Sequence, residues 1–470
     1  MLSRQCTLRG WLKFAFIQAN HMIKPLSRKT SLVILLLLVA FSLRMFKVDV
    51  LTSVANDERL WLMAGVSLLQ EGVPTAWTIQ WNQHRWDKYW KVENGEVTPW
   101  LDHPPLFALL MGGWSLAMDI TTFAQTNVTS LRLPMVVMSV ATIYFTWLLV
   151  KEIFNEEIAL FVVAVYTFFP TDLIASRFIL AEHTTPFLLV LGLYAFVRYD
   201  RVKTKNEKRI WLSIMSVVSV ASPLMKLSGG LVPMSLALLA SLRRRRGLAL
   251  WLVLMGAFSI LIFWIYAWSY SWDVFVGAQT AHVERPQSFD HFWSFFTQLS
   301  TGNVIVFDPT VIIGWAGLLV LLSKGKNILA RQVLFAPTLA MSFVFLYVAS
   351  VENYDWYKYP AYPLLAIGAG FIIYELCRGK YWFLIFFLPL VAQMLQNSAL
   401  VVDQGERRIW MVLMYFVAIM PILFDNPFFR FKRVMIFLLL LLFFFQTVWY
   451  LHMLGSACWL SDCFPVQLRL

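Results

Sequence analysis

Long apolar runs recur from residue 31 to residue 452 with short basic clusters between them, and this spacing limits the fold more than any other feature of the chain. Each run approaches the ~20 residues that a helix needs to cross ~30 Å of hydrocarbon. The backbone finds no water to bond there, so a crossing segment must be a helix or a strand of a closed barrel. The runs are continuous rather than alternating, which selects helices. With 59% hydrophobic and 14% charged residues among 470, the chain carries more apolar surface than a soluble core could hide. The sequence therefore predicts an all-α polytopic membrane protein. Spans are expected near residues 31–48, 131–150, 157–171, 178–197, 210–226, 228–242, 249–268, 309–323, 333–350, 360–377, 381–400, 409–424 and 434–452. That makes about thirteen transmembrane helices.

The charges orient these spans. A net charge of +12 could suggest a nucleic-acid partner, but the basic residues lie in short clusters between apolar runs, as the positive-inside rule expects. No nucleic-acid partner is expected. Clusters within 198–209, 243–246, 324–331, 378–380 and 430–433 belong on the cytoplasmic side. Counting back from them puts 171–177 and Arg132 outside and 151–157 inside. The basic segment 1–30 is cytoplasmic, so 49–103 is outside too. Both hold only if 104–118 does not cross. That segment is apolar but short, opens with Pro104-Pro105 and contains Gly112-Gly113. It is expected to lie in, or dip into, the outer interface.

The expected organisation follows from this count. A cytoplasmic segment, 1–30, precedes a transmembrane module, 31–268, whose outer loop 49–130 carries the active site. A second outer loop, 269–308, leads to a C-terminal transmembrane module, 309–470. Leu32–Val39 reads as the core of a signal-anchor span. Cys6, Cys377, Cys458 and Cys463 show no metal-binding spacing. Cys458 and Cys463 could pair outside the cytoplasm or stand as free thiols.

Polar residues at the outer face need an explanation, because nearly everything around them is apolar. Asp57 and Glu58 open an interfacial-looking helix, where a carboxylate near the N-terminus stays ionised. That suits a general base, and it equally suits a helix cap. Asp102-His103-Pro104-Pro105-Leu106 fixes an extended chain before a helix start, aiming Asp102 and His103 above the membrane. Arg132, Arg177, Lys226 and Lys358 reach the same face, with Glu182-His183 and Tyr357 close by in sequence. Each cation could simply snorkel to headgroups. Together they could hold a phosphate or diphosphate by charge-assisted hydrogen bonds. Trp77, Trp81, Trp86, Trp90, Trp100, Trp268 and Trp272 crowd the outer loops, as interface belts or as faces for a sugar ring.

At these residues the chain resembles the GT-C class of polyprenyl-phosphate-sugar-dependent glycosyltransferases. More narrowly it is similar to the protein O-mannosyltransferase-like superfamily, glycosyltransferase family 39, which includes the lipid A aminoarabinose transferase. Asp57-Glu58 resembles the family's acidic pair in its first outer loop. His103-Pro104-Pro105-Leu106 resembles its His/Lys-Pro-Pro-Leu motif, and Leu131-Arg132-Leu133-Pro134 the Arg that opens the next span. Ser176-Arg177 with Glu182 resembles the Ser-Arg and acidic residue of a later span, and the Tyr-rich segment ending at Pro360 a late outer loop. Two departures stand out: Asp102 adjoins His103, and Glu182 occupies a place where the family has Asp.

The resemblance implies a GT-C fold with interfacial helices in the first outer loop. It implies an enzyme that transfers a hexose or pentose from a polyprenyl-phosphate donor to a hydroxyl of a protein, lipid or glycan acceptor. The site would lie on the outer face of the plasma membrane, among membrane lipids, and direct displacement would invert the anomeric carbon. Asp57 is expected as base with Glu58 beside it. His103, Arg132, Arg177 and Lys358 are expected on the donor phosphate, and Asp102, Glu182, His183, Lys226 and Tyr357 around the substrates. A divalent ion such as Mg or Mn is compatible with the carboxylates, although no dense ligand set demands one. The rival reading is a lipid or solute transporter or flippase. It predicts mid-span charges and paired repeats.

Overall fold

The computed structural model of the chain describes residues 27–49, 56–77, 92–93, 96–121, 128–284, 309–325, 327–348, 355–380 and 383. Apart from Phe383, the last three expected spans lie outside these residues, as do Trp81, Trp86, Trp90, Cys458 and Cys463. The described chain is helical except for a small antiparallel sheet. Its strands β1 (Ala76–Trp77), β2 (Val92–Glu93) and β3 (Glu96–Val97) run in the order β1-β3-β2.

Helix α1 (Arg28–Met45) is capped by the Ser27 hydroxyl, which accepts the Thr30 N–H. Helix α2 (Asn56–Gln70), the sheet and α3 (Leu106–Ala117) follow. Then comes α4 (Val128–Ile153), 26 residues long. The Asn155 side chain caps α5 (Glu156–Thr167), which leads to the short α6 (Pro170–Ala175). A 3-10 turn at Ala181–His183 opens α7 (Thr184–Arg201). Helix α8 (Lys205–Met225) starts at a Thr204–Glu207 capping box. A 3-10 turn, Leu227–Gly230, passes into α9 (Leu231–Leu242), α10 (Arg246–Tyr270) and α11 (Trp272–Val283). The rest of the described chain is α12 (Pro309–Lys324), α13 (Ile328–Val348), a 3-10 segment Asp355–Ala361 and α14 (Tyr362–Cys377).

Four stretches among the described residues are long and apolar enough to cross a membrane: Val128–Ile153, Arg246–Tyr270, Ile328–Leu346 and Tyr357–Cys377. Along α10, Leu250, Leu254, Leu261 and Ile265 are exposed, as lipid contact requires. Helix α3 has 12 residues, about 18 Å, well short of a crossing. It packs backbone to backbone on α2. A Cβ added to Gly65 would lie 1.9 Å from the Ala108 carbonyl oxygen, so only glycine allows this approach. Helices α12 and α14 cross in the same way, where a Cβ on Gly317 would lie 2.0 Å from Gly368 O.

The main core is built by Ile143, Val162, Leu193, Leu236, Leu334 and Leu365 from α4, α5, α7, α9, α13 and α14. A second apolar cluster, with Trp61, Trp100, Phe107, Met111 and Ile179, seats α2 and α3 on one end of the bundle. Trp100 is therefore packed inside that cluster and offers no open face to a sugar. At the opposite end, Glu152 pairs with Arg198 and Arg201, and Asp200 with Arg243 and Arg245. Those pairs tie the C-terminal ends of α4, α7 and α9 together. Their other ends are thereby brought under α2 and α3, and this is where the polar residues gather.

Candidate active site

Asp57 and Glu58 occupy the first turn of α2 but face different surroundings. Glu58 points inward and is 1% exposed. Its two oxygens receive Arg132 Nε at 2.9 Å and Nη2 at 2.8 Å, and Oε1 also accepts the Ile179 N–H at 2.9 Å. Arg132 Nη1 donates to Val48 O at 2.7 Å, and the guanidinium lies 5.4 Å from the Phe178 ring. All three nitrogens of a fully buried guanidinium are thus engaged within the protein. This pair joins the tail of α1, the start of α2, α4 and the loop after α6. Glu58, expected beside the base Asp57, and Arg132, expected on the donor phosphate, are thus engaged with each other. Asp57 is half-buried and within electrostatic reach of Lys226.

A second lock lies one layer deeper. Arg44 Nη2 donates to Asp172 Oδ2 at 2.6 Å and Nε to Ser139 Oγ at 2.8 Å, with all three groups buried. Neither Arg44 nor Asp172 is singled out by the sequence motifs. A charge inside an apolar run was the available signal.

Arg177 stands beside these two locks without one of its own. It is 1% exposed, and Nη2 donates to Leu43 O at 2.8 Å. Its Nε is buried with no hydrogen-bond partner, and among the described residues it meets no carboxylate. Burial, then Arg132 and Arg44, draw its pKa down to about 9. Three guanidiniums therefore share two carboxylates, and the surplus charge rests on Arg177.

On the far side of α2, Lys226 ends α8 and pairs with Glu182. Its ammonium lies 5.4 Å from the centre of the Tyr357 ring. Lys358 is buried in the same 3-10 segment. His183 stacks on Tyr359 at 4.4 Å and is hydrogen-bonded to the Ala175 backbone, so the 3-10 turn and the Tyr-rich segment hold each other.

His103 lies flat on Trp61, with centroids 5.0 Å apart and planes 12° from parallel. Asp102 bridges His103, at 3.3 Å, and His282 of α11. His282 is one of two His residues in the second outer loop, and no spacing marks it in the sequence. Asp102, His103 and His282 bring one potential ligand atom each to within 4.8 Å of one another. Two imidazoles and one carboxylate suit zinc better than the hard Mg or Mn ions, which prefer all-oxygen shells. The same three groups also form a complete hydrogen-bonded bridge on their own.

The expected site residues thus gather at one end of the bundle, around the N-terminus of α2. Residues 102–268 match the family described as dolichyl-phosphate-mannose-protein mannosyltransferase. No curated protein sequence matches the chain. Among solved structures, ArnT from Cupriavidus metallidurans in the apo state is similar over 91% of this chain and 76% of its own, at 17% identity and a TM-score of 0.57. The same protein bound to undecaprenyl phosphate is similar at 18% identity and a TM-score of 0.54, over 91% of this chain and 75% of that one. The Archaeoglobus fulgidus oligosaccharyltransferase in its apo form is similar over 94% of this chain but 57% of its own, at 12% identity and a TM-score of 0.52. The chain thus shares its fold with these structures, and the family match begins at the Asp102-His103 motif and runs past Lys226.

Proposed function

We propose that this protein transfers a sugar from a polyprenyl-phosphate donor to an acceptor hydroxyl at the outer face of the plasma membrane, with its N-terminus cytoplasmic. The observation that carries this reading is the surplus charge on Arg177. A buried guanidinium without an anion is costly, and a ligand phosphate supplies the missing partner with bidentate geometry. Support comes from ArnT, which has the same fold and has been solved bound to undecaprenyl phosphate.

The chemistry is a single displacement. Asp57 takes the proton of the acceptor hydroxyl as its oxygen attacks the anomeric carbon. The bond from that carbon to the phosphate oxygen breaks, and the configuration inverts. Polyprenyl phosphate leaves with the electron pair, its developing charge offset by Arg177, with His103 and Lys358 as further donors. Glu58 and Arg132 act indirectly, by fixing the start of α2 and hence Asp57.

The test is direct. Purified protein in lipid nanodiscs is incubated with undecaprenyl-phosphate mannose, glucose, galactose or aminoarabinose, and release of undecaprenyl phosphate is followed by mass spectrometry. In parallel, lipid-linked sugars are profiled in cells with and without the gene. Release from one donor, and accumulation of that donor in the deleted strain, are expected. No release from any donor and an unchanged lipid profile would overturn the reading.

A further inference from the structure

The end of the bundle opposite the candidate site carries more positive charge than its own carboxylates take up. Arg198 and Arg201 share Glu152, and Arg243 and Arg245 share Asp200. Glu207 is engaged by Thr204 in the cap of α8. Lys203, Lys205, Arg209, Arg244 and Arg246 remain exposed, and among the described residues none of them meets a carboxylate. Arg244 also holds a φ of 57°, in the left-handed region that disfavours a side chain. Arginines 243 to 246 are consecutive and repel one another. The two that point outward have an anion to gain from outside the protein.

These charges rim an apolar groove between α8 and α10. Trp251 Nε1 of α10 donates to Ser216 Oγ of α8 at 2.8 Å, and further along both helices Leu224 and Phe263 share one apolar cluster. The two helices therefore run side by side in the same direction. Arg209 precedes Ser216 by about two turns and Arg246 precedes Trp251 by about one and a half, so the two arginines lie at nearly the same height. Two turns also bring Arg209 onto the face of α8 that meets Trp251. Beside this contact Ile210, Val217, Leu250 and Leu254 are exposed, and Trp251 itself is partly open. An indole anchored across a groove, with apolar side chains on one side and unpaired guanidiniums on the other, matches a lipid at the level of its headgroup.

We propose that this groove binds an anionic glycerophospholipid of the leaflet at that end of the bundle. Arg209 and Arg246 take the phosphate, Lys205 and Arg244 add to the positive field, and an acyl chain lies along Leu250, Trp251 and Leu254. Basic pockets between membrane helices favour anionic headgroups for this reason. A zwitterionic lipid brings its own ammonium, which the arginines repel. A soluble phosphate has no chain to cover the apolar wall. The inference needs neither a sugar donor nor the site at the other end, so it stands or falls apart from the reading above.

The full-length protein in detergent micelles is titrated with phosphatidylglycerol or phosphatidylcholine, and bound lipid is counted by native mass spectrometry. Wild type is expected to hold phosphatidylglycerol about tenfold more tightly. The exposed double variant Arg209→Gln/Arg246→Gln should lose that preference. Lys29→Gln/Lys151→Gln removes the same charge from residues paired with Glu157 and Glu156, and should keep it. Trp251→Ala should weaken both lipids, and excess glycerol 3-phosphate should displace neither. Equal affinity of wild type for the two lipids would overturn the proposal. So would an equal loss in both double variants, which would mark diffuse attraction to the basic end. Wild-type binding in Trp251→Ala, or displacement by glycerol 3-phosphate, would remove the groove and leave a simple phosphate contact.

Discussion

At the scale of single residues, neighbouring carboxylates take on different work because adjacent positions on a helix face different surroundings. Asp57→Asn keeps the size of the side chain and removes the base. Turnover in the undecaprenyl-phosphate-sugar assay should fall by roughly 100-fold or more while donor affinity changes little. Normal turnover would remove Asp57 from that role. Glu58→Gln should act differently. It leaves Arg132 buried without its charge partner, at a cost of about 3–5 kcal/mol, which appears as a lower unfolding temperature. Arg177 predicts the opposite sign. Its pKa is drawn down to about 9 in the folded protein, well below the ordinary guanidinium value, so its charge is penalised throughout the range below pH 9. That penalty falls away only as pH climbs from about 9 towards the ordinary guanidinium value. Arg177→Met should therefore raise the unfolding temperature of the donor-free protein at pH 7, and the gain should shrink above pH 9. The same variant should lose the stabilisation that undecaprenyl phosphate confers on wild type. Arg177→Lys keeps a charge but not the planar fork, and should weaken phosphate binding by about tenfold. A Met variant less stable than wild type and still protected by the lipid would show that Arg177 serves the fold alone.

At the scale of elements, much of the layout was legible and the pairing was not. Polar residues on an apolar background are conspicuous, so Asp57, His103, Arg177, Glu182, Lys226 and Lys358 stand out before any packing is known. The short segment opening with Pro104-Pro105 is legible as well, since its length and prolines announce a helix of a few turns. Nothing in the spacing says that Glu58 holds Arg132 from 74 residues away, or that Asp102 reaches 180 residues on to His282. Those pairings depend on which helix ends the packing brings together. Close crossings make that packing selective. At Gly65 and Gly317 an added Cβ would overlap neighbouring backbone, which cannot move aside as a flexible side chain could. Gly65→Ala should push α3 away from α2, disturb the seat of Trp61 under His103 and lower both stability and donor turnover. The distant Gly247, where a Cβ meets nothing within 4 Å, is the control, and Gly247→Ala should be close to neutral. Equal effects of the two substitutions, read by thermal unfolding and turnover, would show that the α2–α3 contact does not position the site.

At the scale of the whole molecule, the bundle separates its charges by end. One end holds the Glu152 and Asp200 clusters with their four arginines, and the other holds the site. In the orientation proposed above, which follows the positive-inside rule, the first end is cytoplasmic and the site lies outside. This assignment depends on α3, because an odd number of crossings before α4 is needed to place Arg132 outside. Helix α3 is too short to cross and is pinned to α2 by the Gly65–Gly112 contact, so the segments before and after it belong on the same side. The prediction is a labelling pattern. Single cysteines at positions 95 and 125, in a variant lacking the four native cysteines, should both react with an impermeant maleimide in intact cells. A cysteine at position 203, between α7 and α8, should react only after the cells are opened. Labelling of 95 without 125 would mean that the segment between them crosses the membrane. The orientation of every later helix would then invert, which would put Arg132 and Lys226 on the side opposite Asp57 and dismantle the site as built.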